Sequence, residues 1–242
     1  MTEEASLAEQ WFKAPDTKDL FVIPEPEDLA NLFQAQFRYQ TLTSGAKTIL
    51  LESACYSLGF GEGVLEHLAP SNKHGCIRIG ETLLSFKDDR QKRVQLRMPI
   101  APFVGQKVLF RFFPTGESIP QIQPKNAQAI GLDRIQISYL YRKPPPAYKA
   151  NLVAANGQLA QVWKSGFELW IWSVFLNQRF RVCFSGKGPK KIGSYVHVKG
   201  IFNPASRLIE LEDYRELRIA PRSELSFAPS PPPPEKKEDA PK

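Results

Sequence analysis

The chain has 242 residues, 42% of them hydrophobic, and a formal net charge of +7. That apolar content supports a packed core and excludes global disorder, and no run reaches the roughly eighteen uncharged apolar residues of a membrane-spanning helix. Three scattered cysteines, Cys55, Cys76 and Cys183, form no CxxC pair, which excludes a disulfide framework or a zinc finger and suits a reducing compartment.

The charge is unevenly spread. Residues 1–70 hold 4 basic and 11 acidic side chains, 71–150 hold 14 and 5, 151–222 hold 11 and 5, and 223–242 hold 3 and 4. A basic middle between acidic ends suits a negatively charged partner, either nucleic acid or an acidic protein, or else serves solubility alone. Met1-Thr2-Glu3-Glu4 lacks the apolar segment of a secretory leader. The expected location is the cytoplasm, without membrane association.

Residues 1–70 read as an acidic helical lead-in. Trp11-Phe12 and Phe21-Val22-Ile23 are apolar islands suited to a docking arm. Pro24 and Pro26, ahead of Glu27-Asp28, open a helix with the stripe Leu29, Leu32, Phe33 and Phe37. A second helix is expected over 46–58, bounded by Ser44 and Gly59, with an extended reading open at Thr48-Ile49-Leu50-Leu51. Gly59-Phe60-Gly61-Glu62-Gly63 reads as a turn, and 64–68 as a further helical turn.

Beyond Cys76 the period changes to two. Alternation over 93–98, 107–111, 135–141, 179–184 and 195–199 predicts half-buried strands. Turn signals fall at Asp88-Asp89, Pro114-Thr115-Gly116, Asn156-Gly157, Ser165-Gly166 and Gly186-Lys187-Gly188-Pro189, a spacing that fits a sandwich or small barrels. Gly105-Gln106-Lys107-Val108-Leu109-Phe110-Arg111 returns 88 residues later as Gly193-Ser194-Tyr195-Val196-His197-Val198-Lys199. Between the copies lies a stiff linker, Arg142-Lys143-Pro144-Pro145-Pro146.

The expected fold is mainly β with an N-terminal helical segment. It divides into the lead-in 1–70, a first β-unit 71–143, a second 148–222 and a disordered Pro-rich tail 223–242, which either docks on a partner or only solubilises.

Two short runs of strands in tandem, each with a glycine opening its third strand, resemble the OB-fold. Single-stranded-DNA-binding proteins and many RNA-binding domains are built on that fold. The resemblance spans roughly residues 75–220 and implies two small OB-like β-barrel units in tandem. The tail resembles that of bacterial single-stranded-DNA-binding proteins, which ends in an acidic tip with a terminal hydrophobic residue. This chain departs from it, ending Glu238-Asp239-Ala240-Pro241-Lys242.

Catalytic signals are weak. His67, His74 and His197 fall in separate segments outside any HExxH or nucleophile-elbow context. His74 with Cys76 is too small a set for zinc. After Lys187 stands Gly188, where a P-loop needs Ser or Thr, so that run reads as a cationic hairpin loop. No enzyme, cofactor or metal is expected.

The strand faces carry the functional expectation. Alternation turns Val94, Leu96, Met98, Val108, Phe110, Phe180, Val182, Phe184, Val196 and Val198 inward. It turns Arg93, Arg97, Lys107, Arg111, Arg179, Arg181, Tyr195, His197 and Lys199 outward. In Phe167-Glu168-Leu169-Trp170-Ile171-Trp172, a core-facing Leu169 and Ile171 make Trp170 and Trp172 a stacking platform; the opposite facing makes them core. The expected nucleic-acid contacts are therefore Arg93, Arg97, Lys107, Arg111, Trp170, Trp172, Arg179, Arg181, Tyr195 and Lys199. They point to single-stranded DNA or RNA bound with little sequence preference. The other reading is a protein-binding scaffold or assembly factor that uses the same face on an acidic protein.

Overall fold

The computed structural model describes residues 19–24, 39–69, 74–88, 101–114, 134–141, 149–173 and 178–229. The chain enters with strands β1 (Leu20–Val22), β2 (Tyr39–Thr41) and β3 (Lys47–Leu50), then a single helical turn, α1 (Leu51–Ala54). Ten longer strands follow. The first five are β4 (Tyr56–Leu68), β5 (His74–Ile79), β6 (Thr82–Asp88), β7 (Lys107–Phe113) and β8 (Arg134–Tyr141). The second five are β9 (Leu152–Trp163), β10 (Gly166–Ser173), β11 (Gln178–Ser185), β12 (Tyr195–Asn203) and β13 (Leu208–Glu216), before a short β14 (Ile219–Pro221).

Each set of five closes on itself. In the first circuit β4 pairs with β5, β5 with β6, β6 in parallel with β8, β8 with β7, and β7 returns to β4. In the second, β9, β10, β11, β13 and β12 follow one another in the same way, with β11 and β13 parallel and β12 returning to β9. The circuits join edge to edge where β4 runs antiparallel to β9, from Tyr56↔Asn156 to Gly59↔Val153. Thr82 Oγ1 donates to the Pro204 carbonyl as a second tie.

The two circuits agree residue by residue. Val64↔Arg78 and Leu65↔Ile77 in one match Gln158↔Trp170 and Leu159↔Leu169 in the other, and both registers slip one step further on. The fourth and fifth strands repeat the device: the register slips after Arg111 in β7 and after Lys199 in β12. The Gly105 and Gly193 copies noted in the sequence precede the fourth strand of each circuit, not the third. Both glycines have positive φ, 79° and 88°, which a side chain would strain. Gly105 N–H donates to Leu65 O at 2.7 Å and Gly193 N–H to Leu159 O at 2.8 Å. The stretch 167–175, which lacks an evident sequence counterpart, contains most of β10, the match of β5.

Apolar residues fill both interiors: Leu65, Ile77, Phe86, Phe110 and Ile135 in the first circuit, Phe167, Leu169, Phe184, Val196 and Ile209 in the second. A separate four-stranded sheet, ordered β14-β1-β3-β2, unites the two ends of the described chain. Its apolar side, with Val22, Ile49, Leu51 and Ala54, packs with Tyr195 and Leu217 of the second circuit.

Several expectations are corrected here. The helix expected over 46–58 is β3, the turn α1 and the start of β4. Its apolar run is buried between layers, where periodicity does not separate helix from strand, and Thr48 Oγ1 donates to Gln40 O at 3.2 Å across the β2–β3 pair. The stripe Leu29 to Phe37 and Trp11-Phe12 lie outside the described residues, as do strand 93–98 and the proline linker.

Gly59, Gly61 and Gly63 form no turn, and 64–68 is not helical: β4 runs through both. A Cβ at Gly59 would stand 2.4 Å from the Phe112 ring, at Gly61 2.4 Å from the Phe110 ring and at Gly63 2.4 Å from the Arg78 carbonyl oxygen. These glycines admit close neighbours rather than reverse the chain. Asn156-Gly157 likewise lies inside β9. The first circuit thus opens with Tyr56, within the segment read as lead-in. At the other end, Phe227 bridges to Leu42 and packs on Phe21 at 5.1 Å, so residues 223–229 are docked. The rest of the tail, 230–242, lies outside the described residues.

Candidate nucleic-acid interface

The β10–β11 hairpin sets the geometry of the candidate site. Leu169 and Ile171 are buried in the core, as are Phe167, Val182 and Phe184, so the alternate positions face outward. The register places Trp170 opposite Arg181 and Trp172 opposite Arg179. The Arg181 guanidinium lies over the Trp170 ring, 4.5 Å from its centroid. Trp170 is half-buried, and the Arg181 side chain is 19% exposed.

Glu168 flanks this couple. It is 3% exposed, and its Oε1 stands 3.4 Å from Arg181 Nε. The Cys183 thiol donates to its Oε2 at 3.8 Å. Burial raises the Glu168 pKa, and the Arg181 charge and the thiol hydrogen bond draw it partly back. The carboxylate thus fixes the guanidinium on the indole.

At one end of this hairpin stand four lysines that the face argument missed. Lys164 lies in the β9–β10 turn; Lys187, Lys190 and Lys191 lie in the β11–β12 loop. All are exposed, and no carboxylate pairs with any of them among the described residues. Gly186 N–H donates to Ser165 O at 2.9 Å, bringing turn and loop together. At its far end the loop is held by the Gly193–Leu159 bond and by Ser194 Oγ donating to Lys191 O at 2.7 Å. Gly188 lets the loop lie against the Phe167 ring, 2.2 Å from where a Cβ would stand. The signal for these residues was the Gly186-Lys187-Gly188-Pro189-Lys190-Lys191 run itself.

The other expected contacts are scattered. Lys107 is exposed and ion-paired with Glu62. Arg111 and Lys199 hold matching, partly buried positions on the two fourth strands, opposite Phe60 and Ala154. Tyr195 packs beside the four-stranded sheet. Arg93 and Arg97 lie outside the described residues.

His197, expected to be exposed, is 4% exposed. Its Nδ1 donates to Asn156 Oδ1 at 2.6 Å, and its Nε2 is buried with no hydrogen-bond partner among the described residues. Its pKa is lowered to about 4 by burial and by Lys199, against the pull of Asp213. The outward face of β12 is therefore partly covered at His197.

Cys55, Cys76 and Cys183 form no disulfide with one another. Among the described residues no group of three or more His, Cys, Asp or Glu side chains could hold a metal ion. No helix among them is long and apolar enough to cross a membrane. Neither a protein family nor a curated protein matches the chain.

Proposed function

We propose that the chain is a non-catalytic, cytoplasmic binding protein made of two OB-like barrels, residues 56–141 and 149–216, and that it binds single-stranded DNA or RNA through the second. One observation carries the reading. The strands that bear Trp170–Arg181 and the facing pair Trp172/Arg179 are the second and third of a five-strand circuit whose third and fifth strands are parallel. That order fits the OB-fold, in which the face of strands two and three with its adjoining loops takes oligonucleotides.

The chemistry supports this assignment. An indole offers a stacking surface to any base, and an arginine beside it supplies cation–π and phosphate contacts. The lysines at 164, 187, 190 and 191 extend the cationic surface beyond the hairpin and meet phosphates without reading sequence. Three cysteines without a disulfide among them are compatible with a reducing compartment.

Fluorescence anisotropy with labelled poly-dT and poly-U at two salt concentrations tests the reading. Binding is expected to both, weakening at high salt with a slope of about −0.7 per phosphate contact. Absence of binding to either strand at low salt overturns it. Capture of an acidic protein in place of nucleic acid would support the scaffold reading instead.

A further inference from the structure

The matched registers allow the two outward faces to be compared position by position. Arg78 in β5 corresponds to Trp170 in β10, since each stands opposite the residue just before the leucine of the first strand. Lys107 corresponds to Tyr195, opposite Val64 and Gln158 respectively. On the same registers Glu62 matches Asn156, and Glu66 matches Ala160; both Glu66 and Ala160 sit where the register slips.

The two faces use these positions differently. In the first circuit Arg78 Nε donates to Glu66 Oε1 at 2.7 Å, and Lys107 is ion-paired with Glu62. Both cations are thus taken by carboxylates of their neighbouring strand β4. In the second circuit Asn156 and Ala160 supply no carboxylate, and the lysines at 164, 187, 190 and 191 have none among the described residues. Arg181 does have Glu168, but that side chain is only 4% exposed, whereas those of Glu62 and Glu66 are 31% and 30% exposed and meet whatever approaches the face.

Resting on the nucleic-acid reading above, we infer that Glu62 and Glu66 are specificity-determining residues that keep a strand off the β4–β5–β7 face of the first barrel. A phosphate approaching Lys107 or Arg78 must displace a carboxylate and then remain beside it. The like-charge repulsion offsets the attraction gained. Strand binding at a sheet face is left to the second barrel.

The test uses the full chain carrying Glu62→Gln with Glu66→Gln, which keeps side-chain size and removes the charges. A control, Glu216→Gln with Glu224→Gln, makes the same charge change at exposed sites outside β4, β5 and β7. Labelled oligo-dT is titrated by anisotropy over a salt series. The E62Q/E66Q chain is expected to bind several-fold tighter, with a slope steeper by about 1.4, two added contacts at about 0.7 each. The control should leave the slope unchanged. In the E62Q/E66Q background, Lys190→Ala with Lys191→Ala should lose less binding than in the wild type. A wild type that binds, with E62Q/E66Q matching the control in slope, overturns the inference while sparing the functional reading. A wild type that binds no strand overturns both. Melting curves of both double variants should overlay the wild type, because half-exposed pairs add little stability.

Discussion

The two circuits share a backbone and differ on the surface. Strand order, both register slips and the glycine ahead of the fourth strand recur, yet Arg78 faces the solvent where the second has Trp170, Lys107 where it has Tyr195, and Glu62 where it has Asn156. Inward positions answer to packing, which two closed circuits of the same register satisfy alike. Outward positions are free to diverge. In the first circuit they form ion pairs with exposed carboxylates; in the second stands an indole–guanidinium couple backed by a buried carboxyl, beside a cluster of lysines that pair with no carboxylate among the described residues. A repeated strand order therefore does not imply a repeated surface.

The largest expected effect concerns the core that the loop rests on. Phe167 stacks on Phe184 at 5.5 Å, whereas its match in the first circuit is Gly75, set against the Phe86 ring. Phe167→Ala should cost about 3–5 kcal/mol of stability, read from denaturant unfolding, and should loosen the lysine loop packed on it. A cost below about 1 kcal/mol would show that the second interior does not depend on this pair.

Acid should distinguish the circuits next. Leu109 occupies in the first circuit the position that His197 holds in the second. The folded pKa of His197, about 4, lies below the ordinary 6.5, so between those values the unfolded chain takes up the proton first. Stability is then full above pH 6.5 and is lost as the pH falls towards 4, by roughly 2–3 kcal/mol. Protonation would leave a charged Nε2–H buried without an acceptor. His197→Leu should flatten that part of the pH–stability curve; an unchanged slope would assign the acid sensitivity elsewhere.

A smaller effect separates stacking from packing. Trp170→Ala should weaken single-strand binding by about 1–3 kcal/mol with only a modest fall in melting temperature, since the ring lies on the outward face. Arg78→Ala, at the matching position, should leave affinity nearly unchanged. A sharp loss of stability in the Trp170 variant with affinity intact would make that ring structural.

Much of this was legible in the sequence where one face of a strand is buried by close neighbours. Residues 107–111, 135–141, 179–184 and 195–199 all lie in strands, where Val108, Phe110, Ile135, Ile137, Val182, Phe184, Val196 and Val198 are buried. The alternation of Leu169 and Ile171 against Trp170 was equally plain. The strand β4 was hidden because Gly59, Gly61 and Gly63 stand where inward side chains would, the space being filled by Phe112, Phe110 and the β5 backbone. Glycine at alternate positions then reads as a turn. The burial of His197 was invisible for another reason. Tyr195, two residues earlier on β12, packs with a sheet built from Leu20–Val22, Tyr39–Thr41, Lys47–Leu50 and Ile219–Pro221, far away in the chain. Likewise, nothing local to Lys107 reveals that its partner is Glu62.

The most direct measurement compares matched losses on the two faces. Two full-length variants, Arg181→Ala/Lys190→Ala/Lys191→Ala and Arg78→Ala/Lys107→Ala, are titrated with labelled oligo-dT over a salt series beside the wild type. The first should lose most of its affinity and flatten the salt slope by about two, three contacts at about 0.7 each, while the second keeps both. Equal losses in the two variants, or a larger loss in the Arg78/Lys107 variant, would contradict the claim that the second circuit carries the site.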